Sequence, residues 1–234
     1  MFSNSMISLT TAVFALSALT TAAPRNMDER TQSRLSLTEQ LQLADLTAER
    51  YALLPNDSDF VYDYNKSDTG LADRKSFPAL EGLGGSLAIA DFPPCSMAAL
   101  HIHPRATEIF LVVSGNIITE MIPEAGVLTA NGTQRVIRTE LKPQQMTVFP
   151  QGAFHAQINP YCESAQAVAA FTSDNPGAGF VVPQTFALTD EFVEPSFGGI
   201  IKGEDLEKVR HAIPQAVVFQ MDECVKKCGA HKKA

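Results

Sequence analysis

Of the five histidines in the chain, two stand two apart in the stretch HIHPRATE, His101 to Glu108. On a β-strand successive side chains alternate between faces, so His101 and His103 share one face and Ile102 takes the other. Pro104 ends that run, and Glu108 opens the next, EIFLVV, in which Glu108, Phe110 and Val112 share a face. A third imidazole comes from FPQGAFHAQIN, Phe149 to Asn159. There Pro150 and Gly152 make a turn, and His155, Gln157 and Asn159 alternate onto one face of the strand that follows. Three neutral imidazoles and one carboxylate form a mixed nitrogen–oxygen donor set for a metal ion. Four such donors leave positions open in an octahedral shell, which suits Mn(II) or Fe(II), whereas zinc is satisfied by four ligands. Intrinsic affinity favours copper or zinc over manganese, so ligand type alone does not select the ion. The remaining histidines read otherwise: His211 as a charge at a helix C-terminus, His231 as part of a basic tail.

These side chains need a scaffold, and the texture of the middle of the chain supplies one. From about Ser76 to Pro183, short runs rich in Val, Ile, Phe and Thr alternate with turn signals. The runs include GSLAIADF, EIFLVVSGNIITEMI, TQRVIRTEL, QMTVFPQG, FHAQIN and QAVAAFT. Pro93-Pro94, Gly115, Gly126, Asn131-Gly132, Pro143, Gly152 and Asn175-Pro176-Gly177 separate them. The pattern predicts an all-β fold, a small antiparallel sandwich or barrel. Before it, Leu35 to Leu54 reads as one amphipathic helix with an apolar stripe of Leu37, Leu41 and Leu46, capped by Ser36 or Thr38. After Phe186 the chain turns helical again, in LTDEFVEPSFGG and KGEDLEKVRHAIP.

The bulk properties narrow the function classes. The net charge of −8 over 234 residues argues against nucleic acid as a partner. The only basic cluster, Lys226 to Ala234, reads as a solvated tail. Met6 to Ala23 carries no charge, is apolar or small throughout and ends in small residues. It is read as a secretory signal peptide cut at the Ala22–Ala23 bond, leaving no membrane span. Asn-X-Ser/Thr sites at Asn56, Asn65 and Asn131 agree with export. So do the four cysteines, Cys95, Cys162, Cys224 and Cys228, which allow three pairings.

HIHPRATEI and PQGAFHAQIN together resemble the paired motifs of the cupin superfamily, and more narrowly those of the germins and germin-like proteins. The flanking helical segments, the DNPG turn at Asp174 to Gly177 and the CxxxC tail resemble the spherulin-like secreted branch of fungi and slime moulds. The likeness spans about Asp59 to Lys227. It implies a single-domain jelly-roll barrel, with His101, His103, Glu108 and His155 as the ligands of a manganese ion. The implied organisation is a signal at 1–22, a helical extension at 23–58, the barrel at 59–185, and a helical extension with a basic tail at 186–234. The likeness also implies a homo-oligomer, trimer or hexamer, clasped by C-terminal helices.

The chain departs from the germin pattern at four positions. Cys95 and Gln144 stand where each motif begins with glycine. Ala88 and Ala98 stand where oxalate-oxidising germins carry asparagines that contact the acid, and losing both amides argues against oxalate as substrate. If the His101 strand lies antiparallel beside the His155 strand, Cys95 falls within one residue of Cys162. That register favours a Cys95–Cys162 disulfide, with Cys224 paired to Cys228. The expected function is a manganese-dependent oxidoreductase acting on superoxide or a small organic acid. The rival expectation is a non-catalytic metal-binding protein of a cell wall, spore or cyst coat.

Overall fold

The computed structural model of the chain describes residues 35–229, and Ser36 onward falls in one compact unit. The expected signal peptide and His231 lie outside the described residues. Two antiparallel sheets face each other. The first runs β1 (Leu71–Ala72), β2 (Ser86–Phe92), β9 (Ala165–Phe171), β4 (Glu108–Ser114) and β7 (Met146–Phe149). The second runs β10 (Gly179–Phe180), β3 (Ser96–Ile102), β8 (Phe154–Asn159), β5 (Ile117–Ile122) and β6 (Ile137–Leu141). A further short strand, β11 (Val218–Gln220), pairs with β3. Sequence neighbours mostly lie in different sheets, so the chain winds back and forth between the layers, as in a jelly roll.

Period-two alternation sorts the side chains. On β9 every second residue is buried, Ala165, Ala167, Ala169 and Phe171. On β4 Glu108, Phe110 and Val112 point inward while Ile109, Leu111 and Val113 stay on the outer face. Phe92, Phe110, Val112, Ile117 and Phe149 fill one part of the interior. Where alanines face inward instead, on β2 and β9, the sheets do not close on each other and a cavity is left. Gly115 turns the chain between β4 and β5 at φ 69°, and a Cβ there would stand 2.6 Å from that of Ala165.

Helices flank the barrel at both ends, as the sequence leads one to expect, so the architecture is a two-sheet antiparallel barrel with several helices and its class is mixed, where the strand pattern predicts all-β for the barrel with helical extensions. The expected N-terminal helix is two helices, α1 (Leu37–Leu43) and α2 (Thr47–Leu53). Ser36 caps α1 in a reciprocal box with Glu39. A second start signal breaks the run: the Glu49 carboxylate accepts from the backbone N–H groups of Asp45 and Leu46, at 3.1 and 3.2 Å. Leu46 is thereby extended and exposed, and of the expected apolar stripe only Leu41 is buried. At the other end lie α3 (Val181–Phe186), α4 (Asp190–Ser196) and α5 (Glu204–Ala212), sharing a small core of Phe186, Val193 and Leu206. His211 sits exposed in the last turn of α5, as its sequence context predicts.

The disulfides correct the sequence expectation. His101 does stand opposite His155 across β3 and β8, yet the bonds are Cys95–Cys224 and Cys162–Cys228. Neither Cys95–Cys162 nor Cys224–Cys228 forms. The reason is the return of the chain after α5. β11 runs beside β3, with Gln220 opposite Ser96, and delivers the last helix, α6 (Asp222–Lys227), next to Cys95. The Met221 N–H donates to the Cys95 carbonyl at 2.7 Å. Cys224 and Cys228, four residues apart, share one side of that helix and meet two different parts of the barrel instead of each other. The Cys95 N–H meanwhile bonds the carbonyl of Tyr161, not Cys162, at 3.0 Å.

Candidate metal centre

His101 lies on β3, His103 one residue beyond its end, Glu108 at the start of β4 and His155 on β8. One candidate ligand atom from each lies within 4.8 Å of the others, and all four residues are buried. The sequence-predicted set is therefore brought together whole. A break in the β3–β8 register between Ala98 and His101 marks an irregularity beside the first imidazole.

The tautomers follow from the partners. His101 Nδ1 bonds the Ala99 carbonyl at 2.7 Å, and His155 Nδ1 bonds the Ala153 carbonyl at 2.8 Å. His103 Nδ1 bonds the Gly177 carbonyl at 2.6 Å. A carbonyl oxygen only accepts, so in each ring Nδ1 carries the proton, and in the neutral ring Nε2 presents a lone pair. The three acceptors are backbone groups, not Gln157 or Asn159, which share a face of the strand with His155. The Asn159 amide instead holds the following turn, donating to Phe92, Pro93 and Glu163 carbonyls while its oxygen accepts from the Tyr161 N–H.

Glu108 meets those lone pairs. Its Oε2 lies 3.0 Å from His155 Nε2 and 2.9 Å from His103 Nε2. The second contact is too poorly directed to be a hydrogen bond, and His103 Nε2 is left as a buried nitrogen without a partner. Burial pushes the Glu108 carboxyl up, but without a cation the His103 and His155 rings, once protonated at Nε2 as well, outweigh it by charge and hydrogen bonding and hold the group down at about 2. Burial, reinforced by the neighbouring His155, pushes His101 down to about 4, so that ring is neutral near pH 7. Neutral nitrogens and an ionised carboxylate converging at hydrogen-bond distance are unfavourable unless a cation or protons stand between them. The donor set thus fits a divalent cation, which Nε2 of the three rings and one carboxylate oxygen would hold.

The rings are also packed. Phe149 stacks on His155 with ring centres 4.2 Å apart, and Phe171 meets His103 edge-on at 4.7 Å. The Gly177 carbonyl is held by a clamp that the sequence reading does not assign. Arg105 donates to the Asn175 carbonyl and side-chain oxygen, both at 2.8 Å, and so fixes the DNPG turn against the HIHPR segment. The signal was available, an arginine within one motif and an asparagine in a separate turn, but nothing in the spacing links them.

A buried three-histidine, one-glutamate cluster inside a two-sheet antiparallel barrel defines the cupin type of metal site. The sequence matches the cupin family over residues 52–198, and the chain belongs to that family. It is 33% identical to Spherulin-1A of Physarum polycephalum, over 82% of this chain and 79% of that protein. It is 42% identical to germin-like protein subfamily 3 member 1 of Arabidopsis thaliana, over 43% of this chain and 45% of that one. The fold is similar to a solved structure of oxalate oxidase, with a TM-score of 0.56 and 23% identity over 67% of this chain and 82% of that one.

Proposed function

We propose that this chain is a secreted, manganese-binding, germin-like cupin that acts as an oxidoreductase on superoxide or a small organic acid. Its ligands are His101, His103, Glu108 and His155. The observation that carries the reading is the convergence of His103 Nε2 and His155 Nε2 on Glu108, with His101 within 4.8 Å of the same point and every Nδ1 committed to a backbone carbonyl. Four donors leave room in an octahedral shell for a small reactant, which favours Mn(II) or Fe(II) over zinc. A bound manganese ion supplies one-electron redox chemistry at those open positions. The chain's own part is to hold the three rings in the ligating tautomer, to balance the charge with Glu108, and to shield His103 and His155 behind Phe171 and Phe149.

Two disulfides and three exposed glycosylation sequences, at Asn56, Asn65 and Asn131, support secretion. Among the described residues no helix is long and apolar enough to cross a membrane. Phe192 and Ile200, exposed in the C-terminal helical segment, support assembly of copies through it.

The test is elemental analysis of purified protein, followed by assays for superoxide loss and for peroxide released from oxalate. Stoichiometric manganese with turnover in the superoxide assay is the expected result. Metal without turnover in either assay favours the structural coat protein, and absence of metal overturns the reading.

A further inference from the structure

A cavity of about 290 Å³ lies beside the four ligands, and His101, His103 and Glu108 open onto it. Its remaining walls are almost wholly apolar. Ala88 on β2, Ala98 on β3, Ala169 on β9, Phe180 on β10 and Val218 on β11 all line it. Among the described residues, no lysine or arginine does. The lining contains one acidic residue besides Glu108, Asp91, whose carboxylate accepts from Gln166 on the exposed face of β2 and β9. Gln157 contributes one buried amide.

From these walls the geometry points to a ligand class: a small carboxylate of single charge with an apolar body, its oxygen head toward the ligands and its hydrocarbon against the alanine and valine walls. This inference rests on the metal-binding reading above and narrows its substrate. A dicarboxylate such as oxalate has two charged ends close together. Both ends can chelate one cation, but the oxygens left free would then face methyl groups, with Gln157 the one amide in the lining and no cationic side chain among the described lining residues to receive them. Burying charged oxygens without partners is unfavourable. Superoxide and dioxygen would occupy only a fraction of the space, so reaction with either leaves room for an acid ligand beside the apolar wall. A monocarboxylate uses both parts of the cavity, since each buried methylene favours binding, and the volume lies at the small end of the range for small-molecule sites.

The roof gives the cavity its apolar character from an unexpected source. Val217 and Val218 come from the segment after α5, more than a hundred residues along the chain from the HIHPRATE stretch, and both line the cavity. The Ala99 N–H donates to the Val217 carbonyl at 2.8 Å, and Val218 stands opposite Ala98. The C-terminal strand thus supplies part of the wall for the ligand's hydrocarbon.

The experiment uses full-length protein loaded with manganese and checked for stoichiometry, titrated calorimetrically with acetate, butyrate, hexanoate and oxalate. Affinity is expected to rise roughly three- to fourfold per methylene across the monocarboxylates, with hexanoate binding at least about tenfold tighter than oxalate. In Ala98→Asn an amide enters the wall, and the ratio should move toward oxalate by about tenfold. Ala88→Asn, at a less buried position, makes the same test should the first variant fail to fold. Oxalate binding as tightly as hexanoate, or no gain from acetate to hexanoate, overturns the inference and leaves the metal-binding reading intact. Protein that takes up no manganese overturns both.

Discussion

Strands β3 and β8 carry a four-residue cluster at each end, and the two clusters are built by different physics. Toward one end stand His101 and His155, directly opposite each other, joined by His103 and Glu108. At the other end Cys95 precedes β3 and Cys162 follows β8, joined by Cys224 and Cys228 from α6. The first cluster is positioned by strand alternation and backbone hydrogen bonds, so its members converge without being bonded. The second is covalent and crowded: Cys95 Sγ lies 3.4 Å from Cys228 Sγ, although each is bonded to a different partner. The imidazole end offers converging donor atoms and the cystine end serves attachment, fastening the C-terminal segment whose β11 forms part of the cavity wall. The two ends should therefore respond separately to substitution.

The largest effect is expected at the imidazole end. His101→Ala or Glu108→Gln should lower metal affinity by at least about 100-fold, measured by competition with a chelator, while the disulfides still form. Retained stoichiometric metal in either variant would break the assignment of the two ends. At the cystine end, replacing Cys162 and Cys228 together by serine should lower stability by about 2–5 kcal/mol in denaturant titrations. Metal content at neutral pH should stay unchanged in that double variant. A parallel loss of metal would show that the two clusters are coupled through β3 and β8.

A pH titration sharpens the contrast, since only one end titrates. Burial holds His101 down at about 4 against an ordinary value of 6.5. Between those values the unfolded chain takes up a proton that the folded chain refuses, so stability falls as the pH drops through that window. Metal-free protein should therefore lose stability progressively from about pH 6.5 to about pH 4, followed by denaturant midpoints at fixed ionic strength. His101→Gln should flatten that slope, and the cystine variants should keep it.

The smallest effect concerns two backbone positions. Cys95 and Gln144 have φ of 58° and 68°, and among the described residues they are the non-glycine residues with positive φ. These are the positions at which the germin motifs begin with glycine, so the backbone keeps the left-handed turn while the side chain has changed. An L-residue there costs about 1–2 kcal/mol relative to glycine. Gln144→Gly should raise stability by up to about 1 kcal/mol, the remainder offset by the freer unfolded chain. Cys95→Gly should instead lower it, because the lost bond to Cys224 outweighs the relieved turn.

The candidate site was more legible in the sequence than its surroundings were. His101, His103, Glu108 and His155 could be put on one side of their strands because a period of two is a local property of extended backbone. The strand FHAQIN coincides with β8, and the antiparallel pairing that the sequence reading supposed for the His101 and His155 strands is the one that forms. The N-terminal helix was misread where two local signals competed. The apolar spacing favoured one helix, but the Glu49 carboxylate bound to the Asp45 and Leu46 amides starts a second. The acceptors that fix the imidazoles were not legible, because they are carbonyls, which every residue carries, and side-chain type says nothing about which is near.

What the sequence determined by itself was the donor set and the face each donor occupies, since alternation along a strand needs no knowledge of the rest of the fold. The tertiary structure alone decided which cysteines bond, which turn holds His103, and which residues line the cavity. Each of these depends on where a distant segment docks, α6 at Cys95, Asp174 to Gly177 at Arg105, β11 along β3. Docking is set by packing of whole surfaces, and that information is spread over residues far apart in the chain.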